Sequence, residues 1–233
     1  MNIALVLASG IGSRLVGISV PKQFLVVNNK PLMVYSLEVL NSNDNIDAIV
    51  ITTNEDRVDE VKEICERFSL NKVSLIIPGG KSRQESVYKG LLAIKQLAKT
   101  PDDVVLIHDS ARPLINQRIV NDNIKAVYLY SAVETAIKVS DTIAVVDEEK
   151  ELKQTLNRDE LYQVQTPQTF KLSLILEAHE KALKDGVQNA SDDAQLITRL
   201  NMGVQIVEGE KSNFKVTTMD DLKLFETMLK KEA

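Results

Sequence analysis

The apolar positions of this chain fall into short runs that alternate with stretches of helical spacing. Ile3-Ala4-Leu5-Val6-Leu7 is short enough for a buried strand, and Ile46–Thr52, Val73–Ile77 and Val104–Ile107 repeat the pattern. Between them, Glu55–Phe68 places Val58, Val61, Ile64 and Cys65 on one helical face. Glu85–Leu97 does the same with Val87, Leu91 and Ile94, and Gln117–Tyr130 reads as another helix. This alternation predicts an α/β fold, a mostly parallel sheet flanked by helices. Ligands of such sheets sit outside the carboxyl ends of the strands. Three loops fall there: Ser9–Lys22, Gly79–Arg83 and His108–Pro113.

The middle of the chain breaks the alternation. Thr135–Val139, Thr142–Val146 and Leu152–Leu156 read as short strands around the charged turn Asp147-Glu148-Glu149-Lys150. They predict a β-arm at about residues 137–158. A two-stranded arm is marginal alone and needs a partner, so a homodimer with interlocked arms is expected. A helix over Ser173–Lys184, a polar loop over Asp185–Ser191, a further helix, a strand over Val204–Val207 and a terminal helix from Met219 complete the chain. No repeat, low-complexity tract or linker interrupts it, which predicts a single domain over residues 1–233.

Composition removes several function classes. With 44% hydrophobic and 26% charged residues, the chain has the balance of a soluble globular protein. A formal charge of -5 gives no reason to expect nucleic acid, and 4% aromatic residues without tryptophan argue against a platform that stacks bases. No apolar run is long enough to span a bilayer, no leader pattern opens the chain, and the one cysteine, Cys65, fits a reducing compartment. The expectation is a cytoplasmic protein without membrane contact. Neither HExxH, nor a Cys/His metal cluster, nor GxSxG is present, which leaves hydrolase and metalloprotease readings unsupported.

The three loops carry the candidate chemistry. Ala8, Ser9, Gly10 and Gly12 keep side chains small, so a ligand could approach the backbone N–H groups, and Arg14 and Lys22 add positive charge. The loop is not a Walker A motif, and Leu15 stands where a dinucleotide fingerprint needs its third glycine. The plain alternative is a glycine-rich turn with solvated charges. Asp109 suits a ribose or a divalent ion and Arg112 a phosphate or hydroxyl; alternatively, Asp109 caps its loop and pairs with Arg112. His108 reads as a support for that loop. Backbone amides near Gly80 and Arg83, with Ser86, could read a base edge; alternatively, this is a turn with an N-cap. Thr166-Pro167 could equally begin a helix, and Ser191-Asp192-Asp193 is a sound N-cap by itself. Lys215 falls in an expected final strand. His179 sits mid-helix among charges and reads as a surface residue.

Taken together, ASGIGSR…PKQF, PGGKSRQESV, HDSARP, SDTI, NRDELY, QTPQTF, SDDA and NFKVTT occur in an order that resembles the cytidylyltransferases of small polyol phosphates. The resemblance covers nearly the whole chain. It implies a Rossmann-like nucleotidyltransferase fold with a dimerising β-arm. It implies CTP along Ala8, Ser9, Gly10 and Gly12, with Gly80, Arg83, Ser86 and Asp109. Arg14, Lys22 and Lys215 would act at the triphosphate, with Mg²⁺ held at Asp109. The polyol phosphate would lie near Ser110, Arg112, Thr142, Thr166 and Ser191, with Arg158 reaching in from the other subunit. HDSARP, the spacer before Pro21 and Ala132-Val133-Glu134-Thr135 resemble the ribitol 5-phosphate branch. Ser191-Asp192-Asp193-Ala194-Gln195 resembles the 2-C-methyl-D-erythritol 4-phosphate branch. An inactive CTP-binding regulatory protein is the reading from another class. Wall polymer, capsule or isoprenoid synthesis all remain open as the destination of the product.

Overall fold

The computed structural model describes residues 1–10 and 20–232. In chain order its elements are β1 (Asn2–Ala8), β2 (Val26–Val27), β3 (Lys30–Pro31), α1 (Leu32–Ser42), β4 (Ala48–Thr53), α2 (Val58–Arg67), β5 (Val73–Pro78), α3 (Arg83–Leu97) and β6 (Val104–Asp109). Then come α4 (Gln117–Tyr130), β7 (Ala132–Lys138), β8 (Ala144–Val146), β9 (Leu152–Thr155), β10 (Tyr162–Lys171), α5 (Leu172–Lys184), α6 (Ala194–Thr198), β11 (Gln205–Glu208) and α7 (Met219–Glu232).

Seven strands form one sheet in the order β11-β7-β10-β6-β1-β4-β5. The β1–β4, β1–β6, β4–β5 and β11–β7 pairs are parallel, whereas β10 runs antiparallel to both β6 and β7. The expected mostly parallel α/β sheet is therefore present. Strands β1, β4 and β6 are apolar along nearly their whole length because helices cover both faces, so no polar alternation survives. One face packs Ile3, Leu5, Val50 and Ile107 against α3 and α5. The other packs Val6, Ile49, Ile51 and Leu106 against α1, α2 and α4.

The short strands β2 and β3, helix α1 and strand β10 lie outside the sequence expectations. Helix α1 buries Leu32, Met33, Leu37 and Leu40. Strand β10 (YQVQTPQTFK) buries Gln165, Thr166, Gln168 and Thr169 in the sheet, so its inward residues are polar and no apolar alternation marks it. Pro167 has no N–H to give to a strand ladder. The register shift between Val164 and Gln168 accommodates it, and Thr166-Pro167 lies within a strand instead of opening a helix. The arm is an antiparallel ribbon of β8 and β9, turned at Asp147–Lys150, with Lys150 at φ 65°. Thr142 precedes this ribbon and Arg158 follows it.

Candidate active site

A cavity of about 410 Å³ opens at the carboxyl ends of β1, β4 and β6, where the loop rule places a ligand. Its lining includes Ser9, Gly10, Lys22, Gly80, Arg83, Ser86, Asp109, Ser110 and Lys215. Nine of the expected site residues, drawn from four distant stretches, thus meet at one place. Among the described lining residues, Lys22, Lys81, Arg83 and Lys215 are cationic and Asp109 alone is a carboxylate. A chain of net charge -5 therefore concentrates positive charge here, which draws in and holds anions.

Each wall is fixed by its own hydrogen bonds. Gln23, buried in the short helical turn Lys22–Phe24, donates from Nε2 to the carbonyls of Ala8 (2.6 Å) and Gly10 (3.0 Å), anchoring the first loop. Gly79 lies so close to that loop that an added Cβ would meet Ser9 Cβ at 2.6 Å. At the start of α3, Ser82 caps Glu85 N (3.1 Å) and accepts Ser86 Oγ–H on its carbonyl (2.9 Å). With its single proton placed there, Ser86 Oγ accepts from Gly80 N (2.9 Å) and from Ser9 Oγ (3.0 Å). Ser86 thus ties the glycine turn to the end of β1.

The third wall turns on His108. Its Nδ1 faces Thr166 Oγ1 and its Nε2 the Arg112 carbonyl, both at 3.1 Å. Thr166 Oγ1 also accepts Asp109 N–H (3.1 Å). The consistent tautomer carries the proton on Nε2, assigned from this network. Burial pushes the imidazole down to about 4, so it stays neutral. The expected supporting role of His108 is what its contacts describe.

Asp109 does not pair with Arg112, as the plain reading had it. Its Oδ2 meets Lys215 Nζ at 2.5 Å, and its Oδ1 lies 3.6 Å from Arg83 Nε. Burial alone would raise the carboxyl, but the Arg83 and Lys215 charges outweigh it and hold Asp109 far below the usual carboxylate range. Arg112 instead donates to the carbonyl of Asn213 (2.8 Å). Lys215 is not in a strand. It lies in the irregular segment between β11 and α7, held by Val216 N to Ala111 O (2.8 Å), because that segment bonds to the Asp109 loop instead of a sheet edge. Lys22 Nζ donates to Val216 O (3.1 Å), so both lysines share one anchor.

Several expected residues stand apart. Ala8, Arg112 and Thr166 flank the cavity through the contacts above, without lining it. Thr142, Arg158 and Ser191 are exposed and do not line it. Gly12 and Arg14 lie outside the described residues. His179, expected at the surface, is fully buried, with Nε2 3.1 Å from Asp193 Oδ1, because that carboxylate gives its ring a polar partner in the core. Sequence patterning also gave no sign of Gln23, Gln168 or Asp193 as parts of the site. The one signal for them was membership of the PKQF, QTPQTF and SDDA segments.

Behind Asp193, Gln168 Nε2 donates to Glu134 Oε1 (2.5 Å) and to Asp192 Oδ2 (2.7 Å). Burial, then the neighbouring Asp192, push the Glu134 carboxyl up to about 8. A raised carboxyl holds its proton in the folded state after the unfolded chain has lost it, so stability declines as pH rises from about 4.5 to about 8. Glu134→Gln keeps an acceptor and a donor in the same places. It is expected to flatten that decline and raise the midpoint at pH 8.5, by roughly 2–4 °C per kcal/mol recovered. Thermal unfolding across pH 5–9 checks this, and parallel curves for the two proteins would refute it.

A parallel sheet with a cationic, nucleotide-sized cavity at its strand ends defines a nucleotide-binding α/β protein. The model of the family IspD, 2-C-methyl-D-erythritol 4-phosphate cytidylyltransferase, matches residues 2–231. A 2-C-methyl-D-erythritol 4-phosphate cytidylyltransferase of Clostridium novyi is 42% identical, covering 98% of this chain and 96% of its own. A ribitol-5-phosphate cytidylyltransferase of Streptococcus agalactiae is 37% identical, covering 98% and 95%. The solved 4-diphosphocytidyl-2C-methyl-D-erythritol synthase of Anaerococcus prevotii superposes with a TM-score of 0.82 at 29% identity, covering 98% of each chain. The chain belongs to this family and is a CTP-dependent cytidylyltransferase acting on a polyol phosphate. No helix among the described residues is long and apolar enough to cross a membrane.

Proposed function

We propose that this enzyme transfers CMP from CTP to D-ribitol 5-phosphate, giving CDP-ribitol and pyrophosphate in the cytoplasm. The observation that carries the nucleotide half is the meeting of Lys22, Lys215, Arg83 and Asp109 in one cavity beside the glycine turn. The ribitol half rests on HDSARP and on the Ala132-Val133-Glu134-Thr135 segment. The second reading, 2-C-methyl-D-erythritol 4-phosphate as acceptor, is supported as strongly by the Clostridium novyi relative.

In this reading a phosphate oxygen of the polyol phosphate attacks the α-phosphorus of CTP in line, and pyrophosphate leaves. A phosphate is already ionised at neutral pH, so no general base is needed. The protein positions the reactants and offsets charge that grows at phosphorus. Lys22 and Lys215 do this from the cavity wall, with Arg14 as the third cation from the first loop. Ser9, Gly10, Gly80 and Ser86 shape the nucleoside end. Ser110, Arg112 and Thr166 shape the acceptor side, with Thr142 and Ser191 as outer contacts.

Asp109 is the one carboxylate lining the cavity among the described residues. That donor set suits an ion carried mainly by phosphate oxygens, as Mg²⁺ often is. Asp109 would hold it, and the ion would supply further neutralisation of the triphosphate.

The arm exposes Val145, Val146 and Leu152 on a ribbon with no packed face of its own. Such a ribbon is stable when covered, so a homodimer is proposed in which Arg158 reaches the neighbouring cavity. Arg158→Ala should then cut turnover at low acceptor concentration by about 10-fold or more, as loss of a charged contact does. A monomer at micromolar concentration with full activity would remove this role. The acceptor is settled by incubating ribitol 5-phosphate, 2-C-methyl-D-erythritol 4-phosphate and glycerol 3-phosphate separately with CTP and Mg²⁺. Pyrophosphate release is expected with ribitol 5-phosphate above the others, and preference for either alternative overturns the assignment.

A further inference from the structure

Arg83 lines the cavity, yet each of its three guanidinium nitrogens faces a protein acceptor. Nη1 donates to Asp193 Oδ2 (2.6 Å), Nη2 to Gln168 Oε1 (3.4 Å), and Nε lies 3.6 Å from Asp109 Oδ1. Its charge therefore spans two carboxylates, one at the cavity and one behind it.

The rear carboxylate is built in from every side. Asp193 is 1% exposed, and its Oδ1 meets His179 Nε2 at 3.1 Å. Its backbone N–H donates to Gln168 Oε1 (3.3 Å), the oxygen that also receives Arg83. His179 is fully buried and stacks on Tyr88 of α3, with ring centroids 6.0 Å apart and planes 12° from parallel. Burial would push the Asp193 carboxyl up, but Arg83 and His179 outweigh it and keep it ionised. The result is one line of polar contacts, Lys215–Asp109–Arg83–Asp193–His179, that joins β6, α3 and α5 with the loops before α6 and α7.

An ionised pair in a dry interior is costly unless geometry and hydrogen bonding are complete. An arginine needed only as a surface cation would not require a buried carboxylate, a buried histidine and a glutamine behind it. We propose that Asp193, braced by His179, is a positioning residue that holds Arg83 against Asp109 and so fixes the nucleotide-facing carboxylate. This rests on the reading of the cavity as the CTP site. Asp109 faces Lys215 as well as Arg83, so slack in Arg83 lets the Asp109–Lys215 pair rotate away from the ligand.

The test is calorimetric titration of CTP into the wild type, Asp193→Asn, His179→Ala and His179→Gln, with thermal unfolding of each. Asp193→Asn sets an amide N–H toward Arg83 or His179, and is expected to weaken CTP binding about 10-fold or more, the scale of a lost charged hydrogen bond. His179→Ala should weaken it several-fold. His179→Gln, which can return an N–H to Asp193 Oδ1, should recover most of that loss. Unchanged CTP affinity in folded Asp193→Asn and His179→Ala proteins overturns the proposal, whatever their midpoints. If Asp193→Asn does not fold, the histidine pair decides: equal affinity of His179→Ala and His179→Gln sinks it. A wild type that binds no CTP would instead refute the site reading itself.

Discussion

Lys215→Ala is expected to lower the rate of CTP-dependent pyrophosphate release by about 10²–10³-fold, the cost of removing one donor aimed at developing charge. The chain around it should keep its place, because Val216 N holds Ala111 O and Asn213 holds the Arg112 guanidinium independently of the lysine. The loss should therefore appear in kcat/KM, together with a lower unfolding midpoint, because the buried Asp109 carboxylate then keeps only Arg83, 3.6 Å away, as its ion-pair partner. Lys215→Arg is not a neutral replacement: a planar fork cannot occupy the 2.5 Å contact that the ammonium makes with Asp109 in the same way. Steady-state kinetics at saturating acceptor measure the effect. Activity within about threefold of wild type would remove Lys215 from the chemistry, since it falls far short of the loss expected for such a donor.

The second large effect is at Asp109. Asp109→Asn leaves Arg83 and Lys215 facing each other across a neutral amide. Breaking a buried ion pair costs roughly 3–5 kcal/mol, and the lower end applies here because the Lys215 side chain is one-third exposed. That corresponds to a midpoint roughly 6–12 °C lower at pH 7. The pH dependence has a definite sign. Asp109 has a depressed carboxyl in the folded state, so its contribution is present above the ordinary carboxylate value and fades as pH falls below it. Wild type and Asp109→Asn should differ most at neutral pH and converge in strong acid. Turnover should fall with the substitution at all pH values, since the cavity loses its carboxylate. A midpoint equal to wild type at pH 7 would contradict the ion-pair account.

Much of the architecture was legible because burial on both sheet faces writes itself as uninterrupted apolar runs. Strands β1, β4 and β6 carry such runs, and the loops that follow them hold the small and charged residues of the cavity. What escaped the pattern was polar and buried. Strand β10 faces inward with glutamine and threonine, whose value lies in hydrogen bonds to Glu134, Asn123 and Asn213 that no periodicity reports. His179 looked like a surface residue because its sequence neighbours are charged. Only the fold brings Asp193 to it across 14 positions. Lys215 lines the cavity on an irregular backbone and not in the expected strand: NFKVTT has strand-like residues, but its Val216 N bonds to Ala111 O beside Asp109 instead of to a sheet edge. The alternative that pairs Arg112 with Asp109, its nearest acid in sequence, fails because three-dimensional proximity gives that acid to Arg83 and Lys215.

The central claim is that distant segments build one pocket for a triphosphate. Titration of CTP and CMP into the wild type and the Lys22→Ala/Lys215→Ala double variant tests it most directly. The account predicts that the wild type prefers CTP over CMP strongly and that the double variant loses this preference, binding both nucleotides weakly and alike. A double variant that still binds CTP as the wild type does, with the same preference over CMP, would contradict it.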